Sequence, residues 1–231
     1  MEISDIRNLT FHKDVNDILA TLVDELLKIL GSQLVGLYLT GSLTYGDFDP
    51  GSSDIDFLAI LNRELSDGQR LRIQRMHSTI ADQYPKWSKR IEGSYITRDM
   101  LSSTGPPRKP RPYINAGEFW HPDPRYGNEW LVNLSALRET GVALVGPDPK
   151  AIILPVDIDA VREASKEDLH AEWLPKLRDP SPFHKLGYES SHLQAYAILT
   201  MCRILYRDKN DGVASKRIAS EWVKRTYGKA W

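Results

Sequence analysis

Between Val15 and Leu30 the apolar residues Val15, Ile18, Leu19, Leu22, Val23, Leu26, Leu27 and Leu30 recur at i, i+3, i+4 and i+7, and Gly31 follows as a stop signal. That period describes one face of an amphipathic helix. The pattern then shortens. Residues 34–40 (LVGLYLT) predict a strand, 41–53 a loop rich in Gly, Ser and Asp, and 55–61 (IDFLAIL) a second strand. A helix is expected over 64–84, broken at Pro85. A third strand fits 89–97, where Ile91, Gly93 and Tyr95 alternate with Arg90, Glu92 and Ser94. Residues 102–125 are dense in proline and predict an irregular surface connector. A helix over 128–140 stops at Gly141 and leads into the apolar run 142–147. Beyond residue 150 strand-type alternation does not return, and helices are expected over 157–177, 186–207 and 216–227. The chain therefore reads as α+β: a domain of strands and helices over 1–150, then an all-α domain over 151–231.

Composition narrows the function. With 41% apolar and 26% charged residues among 231, the chain can bury a core, which excludes global disorder. Thirty Lys and Arg against 31 Asp and Glu leave a formal charge of -1, so no basic field calls for a nucleic-acid partner. A lone cysteine, Cys202, has no internal disulfide partner and suits a reducing compartment. No apolar stretch approaches the roughly 18 residues of a membrane span. The polar start MEISDIRNLT does not resemble a secretory signal. A cytoplasmic protein without membrane or nucleic-acid partners is expected. The six histidines lack paired metal-ligand spacing, which argues against zinc.

The chemistry concentrates in one loop. Asp54 and Asp56 open the second strand, and side chains two apart on a strand share a face. Two carboxylates held together repel unless a cation sits between them. Mg²⁺ fits, because it takes hard oxygen ligands and is usually bound by one or two carboxylates plus substrate phosphates. Gly41 allows close backbone approach to a phosphate, and Ser42 offers a hydroxyl and an N–H. A P-loop is excluded because Asp47-Phe48 follows Gly46 where Lys and Ser or Thr are required. An EF-hand starting at Asp47 is excluded by Ser52 and Leu58. A hairpin whose acids merely cap a turn is the plainer alternative. Against it, Asp56 precedes Phe-Leu-Ala-Ile-Leu, a strand set for burial, where unpaired charge is expensive.

Thr40-Gly41-Ser42 followed by Asp54-Ile55-Asp56-Phe57 resembles the signature of the polymerase-β-type nucleotidyltransferase superfamily. The segment Leu-Arg-Glu-Thr-Gly-Val-Ala-Leu-Val-Gly-Pro at 137–147 is similar to the one closing the N-terminal domain of streptomycin/spectinomycin adenylyltransferases. Residues 198–206, with Ala214-Ser215-Lys216 and Ala219-Ser-Glu-Trp222, are similar to the helical C-terminal domain of those enzymes. The resemblance implies an N-terminal nucleotidyltransferase domain built on a mixed sheet, with ATP as co-substrate. It implies two Mg²⁺ ions at Asp54 and Asp56, with Glu92 as the third carboxylate and general base. Gly41, Ser42 and Ser53 would meet the nucleotide, and Arg203 and Lys216 its triphosphate. Trp120 would contact the antibiotic, with Trp173 and Glu189 as further lining. The implied reaction moves AMP from ATP to a hydroxyl of a streptomycin/spectinomycin-type aminoglycoside, releases pyrophosphate, and is carried out by a monomer. Leu193 departs from the pattern, standing beside His192 where an acid is expected, and 177–188 is longer than usual. Further helical sequence after Trp231 would also be expected. Two alternatives remain: a nucleotidyltransferase acting on a protein hydroxyl, of toxin–antitoxin type, and a non-catalytic nucleotide-binding module.

Overall fold

The computed structural model describes residues 3–102, 104–120, 126–127, 129–179 and 190–228. It divides into two compact units, residues 1–103, 107–125 and 137–154 in the first and residues 104–106, 126–136 and 155–231 in the second. The second unit thus takes in 126–136, which lie inside the first of the two expected domains.

In the first unit six strands form one sheet in the order β5-β4-β3-β2-β1-β6. They are β1 Leu34–Thr40, β2 Ile55–Leu61, β3 Ile91–Thr97, β4 Tyr113–Asn115, β5 Glu118–Trp120 and β6 Val142–Val145. β2 and β3 are parallel and every other neighbouring pair is antiparallel, so the sheet is mixed. A parallel pair needs a crossover, and helix Asp67–Gln83 supplies it. Ser66 starts that helix with a reciprocal cap: its hydroxyl accepts the Gln69 amide while the Gln69 side chain accepts the Ser66 N–H. Helix Lys13–Leu30 ends where Gly31 takes a φ of 53°, and it buries Val15, Ile18, Leu19, Leu22, Val23 and Leu26.

Alternation along β2 then separates core from chemistry. Ile55, Phe57, Ala59 and Leu61 join the core cluster with Leu37 and Leu39 of β1 and with Ile73, Met76 and Ile80 of the crossover helix. The intervening positions, Asp56 among them, point to the opposite face.

Two expectations need correction. Residues 102–125 are not wholly irregular: β4 and β5 form a hairpin there, turned at Ala116 and Gly117, both at positive φ. The prolines Pro110 and Pro112 precede β4 at the sheet's outer region, where a missing N–H removes little. The helix expected over 157–177 is also interrupted. It runs as Ile158–Asp168, a π-helical turn Leu169–Trp173, and Leu174–Arg178.

The rest of the second unit is helical among the described residues. Ser191–Lys209 packs against both Lys216–Tyr227 and Ile158–Asp168. Arg207 fastens the latter contact by donating to the Ser165 hydroxyl at 3.1 Å, with both residues buried. Among the described residues no helix is long and apolar enough to cross a membrane.

Candidate active site

The strand register assembles the acids. Asp56 on β2 is the direct partner of Thr40 on β1 and of Glu92 on β3. Directly paired residues project to the same face, so Thr40, Asp56 and Glu92 form a row across three strands. Asp54 immediately precedes β2, two residues before Asp56. The three carboxylates named from the sequence therefore belong to one end of one sheet.

Gly41 sits against this row. Its φ is +69°, and a Cβ built on it would lie 2.8 Å from Cγ of Asp56. The glycine lets the Asp56 carboxylate pass directly beside the backbone. Thr44 closes the turn after it, donating through both its amide (3.0 Å) and its hydroxyl (2.9 Å) to the Gly41 carbonyl. Ser42 lies in the same turn, and its carbonyl accepts the amides of Tyr45 and Asp47.

The far side of the loop is built by Asp49. Its carboxylate accepts the Gly51 amide at 2.9 Å and the Ser52 hydroxyl at 2.7 Å, and its carbonyl accepts the Ser52 and Ser53 amides. The Ser53 hydroxyl accepts the Asp49 amide at 3.0 Å. The Ser52 hydroxyl, then the Gly51 amide, hold the Asp49 carboxyl below the usual carboxylate range. This is a self-bonded Asx-type turn delivering Ser53 and Asp54 to the head of β2.

One side chain that the sequence did not single out organises the same region. Arg90 donates to the Pro50 carbonyl at 2.9 Å and to the Ser53 carbonyl, and its Nε lies 3.6 Å from Oδ1 of Asp54. Its guanidinium is 4.6 Å from the ring centroid of Trp87. Trp87 is anchored in turn, since its indole N–H donates to Asp14 at 2.6 Å.

In the second unit a cavity of about 610 Å³ is lined by Trp173, Leu193, Tyr196, Thr200 and Arg203, with Glu129 on the same wall set. The rings of Trp173 and Tyr196 lie 5.7 Å apart, and Nζ of Lys216 is 5.5 Å from the Tyr196 ring centroid. Two residues named from the sequence, Arg203 and Trp173, thus line one cavity, and Lys216 stacks on its edge. Among the described residues, Nε of Arg203 and the buried Thr200 hydroxyl have no hydrogen-bond partner. A buried guanidinium nitrogen without an acceptor is suited to an anionic ligand. Trp120 ends β5, paired with Tyr113; its side chain and all of Glu189 lie outside the described residues. Glu129, a further acid on that wall, accepts the Gly127 amide at 3.0 Å and was not singled out from the sequence, because the start of a helix carries no spacing signal.

Among the described residues no three His, Cys, Asp or Glu side chains converge into a ready-made metal cage. The donor set still fits Mg²⁺. The acids are hard oxygen donors on one sheet end, and this ion normally completes its shell with substrate phosphates and water.

A mixed sheet with an acid pair heading one strand, a third acid in register on its parallel neighbour and a Gly-Ser turn alongside defines a nucleotidyltransferase. Comparison with known proteins agrees. Residues 19–96 match the nucleotidyltransferase domain model, and residues 153–231 match the aminoglycoside adenylyltransferase C-terminal domain model. A spectinomycin 9-adenylyltransferase from Staphylococcus aureus is 27% identical over 225 residues, covering 94% of this chain and 80% of the relative. One from Campylobacter jejuni is 24% identical over 204 residues, covering 84% and 72%. The crystal structure of a spectinomycin adenyltransferase from Enterococcus faecialis with ATP and spectinomycin superposes with a TM-score of 0.65 at 18% identity, covering 91% of this chain and 82% of that one. That last likeness shows the fold. The chain thus carries a nucleotidyltransferase domain followed by an aminoglycoside adenylyltransferase C-terminal domain.

Proposed function

We propose that this protein is a Mg²⁺-dependent O-nucleotidyltransferase that moves AMP from ATP to a hydroxyl of an aminoglycoside and releases pyrophosphate. The observation carrying this reading is the row Thr40–Asp56–Glu92, with Asp54 two residues before Asp56. Asp54 and Asp56 would hold the metal, which when bound neutralises charge on the transferring phosphoryl group. Glu92 takes the proton of the acceptor hydroxyl as it attacks the α-phosphorus. The Gly41–Ser42 turn and Ser53 bind nucleotide phosphates through backbone and hydroxyl groups. Arg203 and Lys216 supply positive charge for the polyphosphate, and the Nε of Arg203, without a partner among the described residues, supports that role. Trp120, Trp173 and Glu189 serve the acceptor: aromatic faces and carboxylates suit a polycationic sugar. Spectinomycin is the first acceptor to try because the curated relatives carry its name; streptomycin is the second. The enzyme acts as a monomer in the cytoplasm.

The test is pyrophosphate release from ATP and Mg²⁺ with spectinomycin, with streptomycin, and with no acceptor. Acceptor-dependent release with either drug is the expected result. Release that no aminoglycoside stimulates would remove the acceptor assignment, and a protein that neither binds ATP nor releases pyrophosphate would remove the catalytic one.

A further inference from the structure

We propose that Arg90 is the positioning residue of the metal-holding loop: it clamps residues 50–54 to the strand that carries Glu92. The idea rests on the reading of Asp54 as a metal-holding acid. Arg90 lies two residues before Glu92 and one before β3 begins. Its own carbonyl accepts the Ile55 amide at 2.8 Å, which starts the β2–β3 ladder. Its side chain then turns back to the loop. One terminal nitrogen takes the Pro50 carbonyl, the other takes the Ser53 carbonyl, and Nε faces the Asp54 carboxylate at 3.6 Å. Asp54 and Glu92 are thereby referred to the same residue.

The chemistry of the side chain matters more than its charge. A planar guanidinium presents donors in fixed directions, so it can meet three acceptors at once, whereas an ammonium is a single point. The acceptors here are two main-chain carbonyls and a carboxylate spread over residues 50 to 54. The guanidinium is itself held, resting on the ring of Trp87, and that ring is fixed to helix Lys13–Leu30 through Asp14. Phe48 of the same loop also stacks on Trp87, with ring centroids 5.8 Å apart and planes 17° from parallel. The loop is thus tied to the helical core through Trp87 at two points, the Phe48 ring and the Arg90 guanidinium. With the Arg90 side chain at 19% exposure, water competes weakly for its donors.

The test compares wild type, Arg90→Ala and Arg90→Lys in two measurements. The first is amide hydrogen exchange of residues 49–55 in the nucleotide-free protein, with helix Lys13–Leu30 as the reference for an intact fold. The second is the affinity for Mn²⁺·ATP, read from the EPR signal of free Mn²⁺. Loss of the clamp should raise exchange across the loop and weaken Mn²⁺·ATP binding by about tenfold or more, in the lysine variant as well as the alanine one. If the alanine variant does not fold, the lysine variant carries both measurements. A lysine variant matching wild type in either measurement overturns the proposal: charge alone would then suffice, or the loop would not depend on the clamp. A wild-type protein that binds no Mn²⁺·ATP counts against the proposed function, and the exchange measurement, which needs no nucleotide, then decides the clamp alone.

Discussion

Replacing Gly41 by alanine separates two costs that the structure makes distinct. The first is backbone strain: at a φ of +69° a Cβ meets its own peptide, costing about 1–2 kcal/mol. The second is local to the chemistry. The new Cβ would sit 2.8 Å from Cγ of Asp56, against an ordinary carbon–carbon contact of about 3.5–4.0 Å. The Asp56 carboxylate must therefore retreat by roughly 1 Å, and a misplacement of that size can lower a rate by about 10²-fold. Gly46 is the control. Its φ is +70°, but nothing lies within 4 Å of a Cβ built there. Gly46→Ala should pay the backbone strain and spare the carboxylate. Both variants should melt lower by roughly 2–8 °C, taking about 2–4 °C per kcal/mol for a chain of this size. Thermal unfolding by circular dichroism checks that part. Pyrophosphate release at saturating ATP and acceptor checks the rest, with Gly41→Ala about 10²-fold below Gly46→Ala. Turnover of the two variants within threefold of one another would refute the reasoning, because the Asp56 carboxylate would then not be where catalysis needs it.

Asp54→Asn and Asp56→Asn should each abolish pyrophosphate release with the fold intact by circular dichroism, since the amide keeps the shape and removes the charge proposed to hold Mg²⁺; turnover near wild type in either would sink the metal assignment. Glu92→Gln should lose roughly 10²- to 10⁴-fold in kcat while keeping its ATP affinity, and a collapse of that affinity would make Glu92 a metal ligand rather than the base. Lys216→Ala should weaken ATP binding in calorimetric titration at millimolar Mg²⁺, and unchanged affinity would remove Lys216 from the nucleotide site. Acid should destabilise the first unit through His77, whose pKa burial lowers to about 3 from 6.5. The folded state then binds fewer protons than the unfolded one between these values, so the stability His77 contributes is full above 6.5 and falls by up to about 1.4 kcal/mol per unit as pH drops toward 3. Because His77 bonds the Tyr95 hydroxyl at 2.7 Å, the paired replacement His77→Phe with Tyr95→Phe leaves no orphaned group. Its melting temperature should vary less between pH 7 and 5 than that of wild type, and parallel profiles would contradict this account.

The sequence was most legible where one period governs a whole element. Helix Lys13–Leu30 and strands β1 and β2 follow from 3.6-residue and two-residue repeats of apolar positions, and the observed bounds are those the pattern predicts to within two residues. The acids were legible for the same reason, because alternation on β2 and β3 already places Asp56 and Glu92 off the apolar face. The hairpin at 113–120 was hidden by its surroundings: strands of three residues have too few positions to show alternation, and the prolines before them read as irregular chain. The π-helical turn at Leu169–Trp173 was equally silent, since one extra residue per turn leaves no mark on composition. Arg90 was named as a strand position and nothing more. Two of its three polar partners are main-chain carbonyls, which every residue possesses, so no pattern of side chains could have announced them.

That contrast has a structural consequence for β2. A strand of period two can serve the core with one set of residues and the chemistry with the other, and here the two sets are adjacent: Ile55 and Phe57 are buried in the core on either side of Asp56. Core packing of these two neighbours therefore sets the height and direction of Asp56. Asp54 lacks that support, since it lies one residue outside the strand and its side chain is 40% exposed. Its position must come from the turn built by Asp49 and from the Arg90 side chain, both of which act on the main chain around it. The two acids proposed to hold the metal are thus fixed by different means, one by apolar packing of its neighbours and the other by polar contacts to a loop. A perturbation of the core should displace Asp56 together with global stability, whereas a perturbation of the loop can displace Asp54 while the fold remains intact.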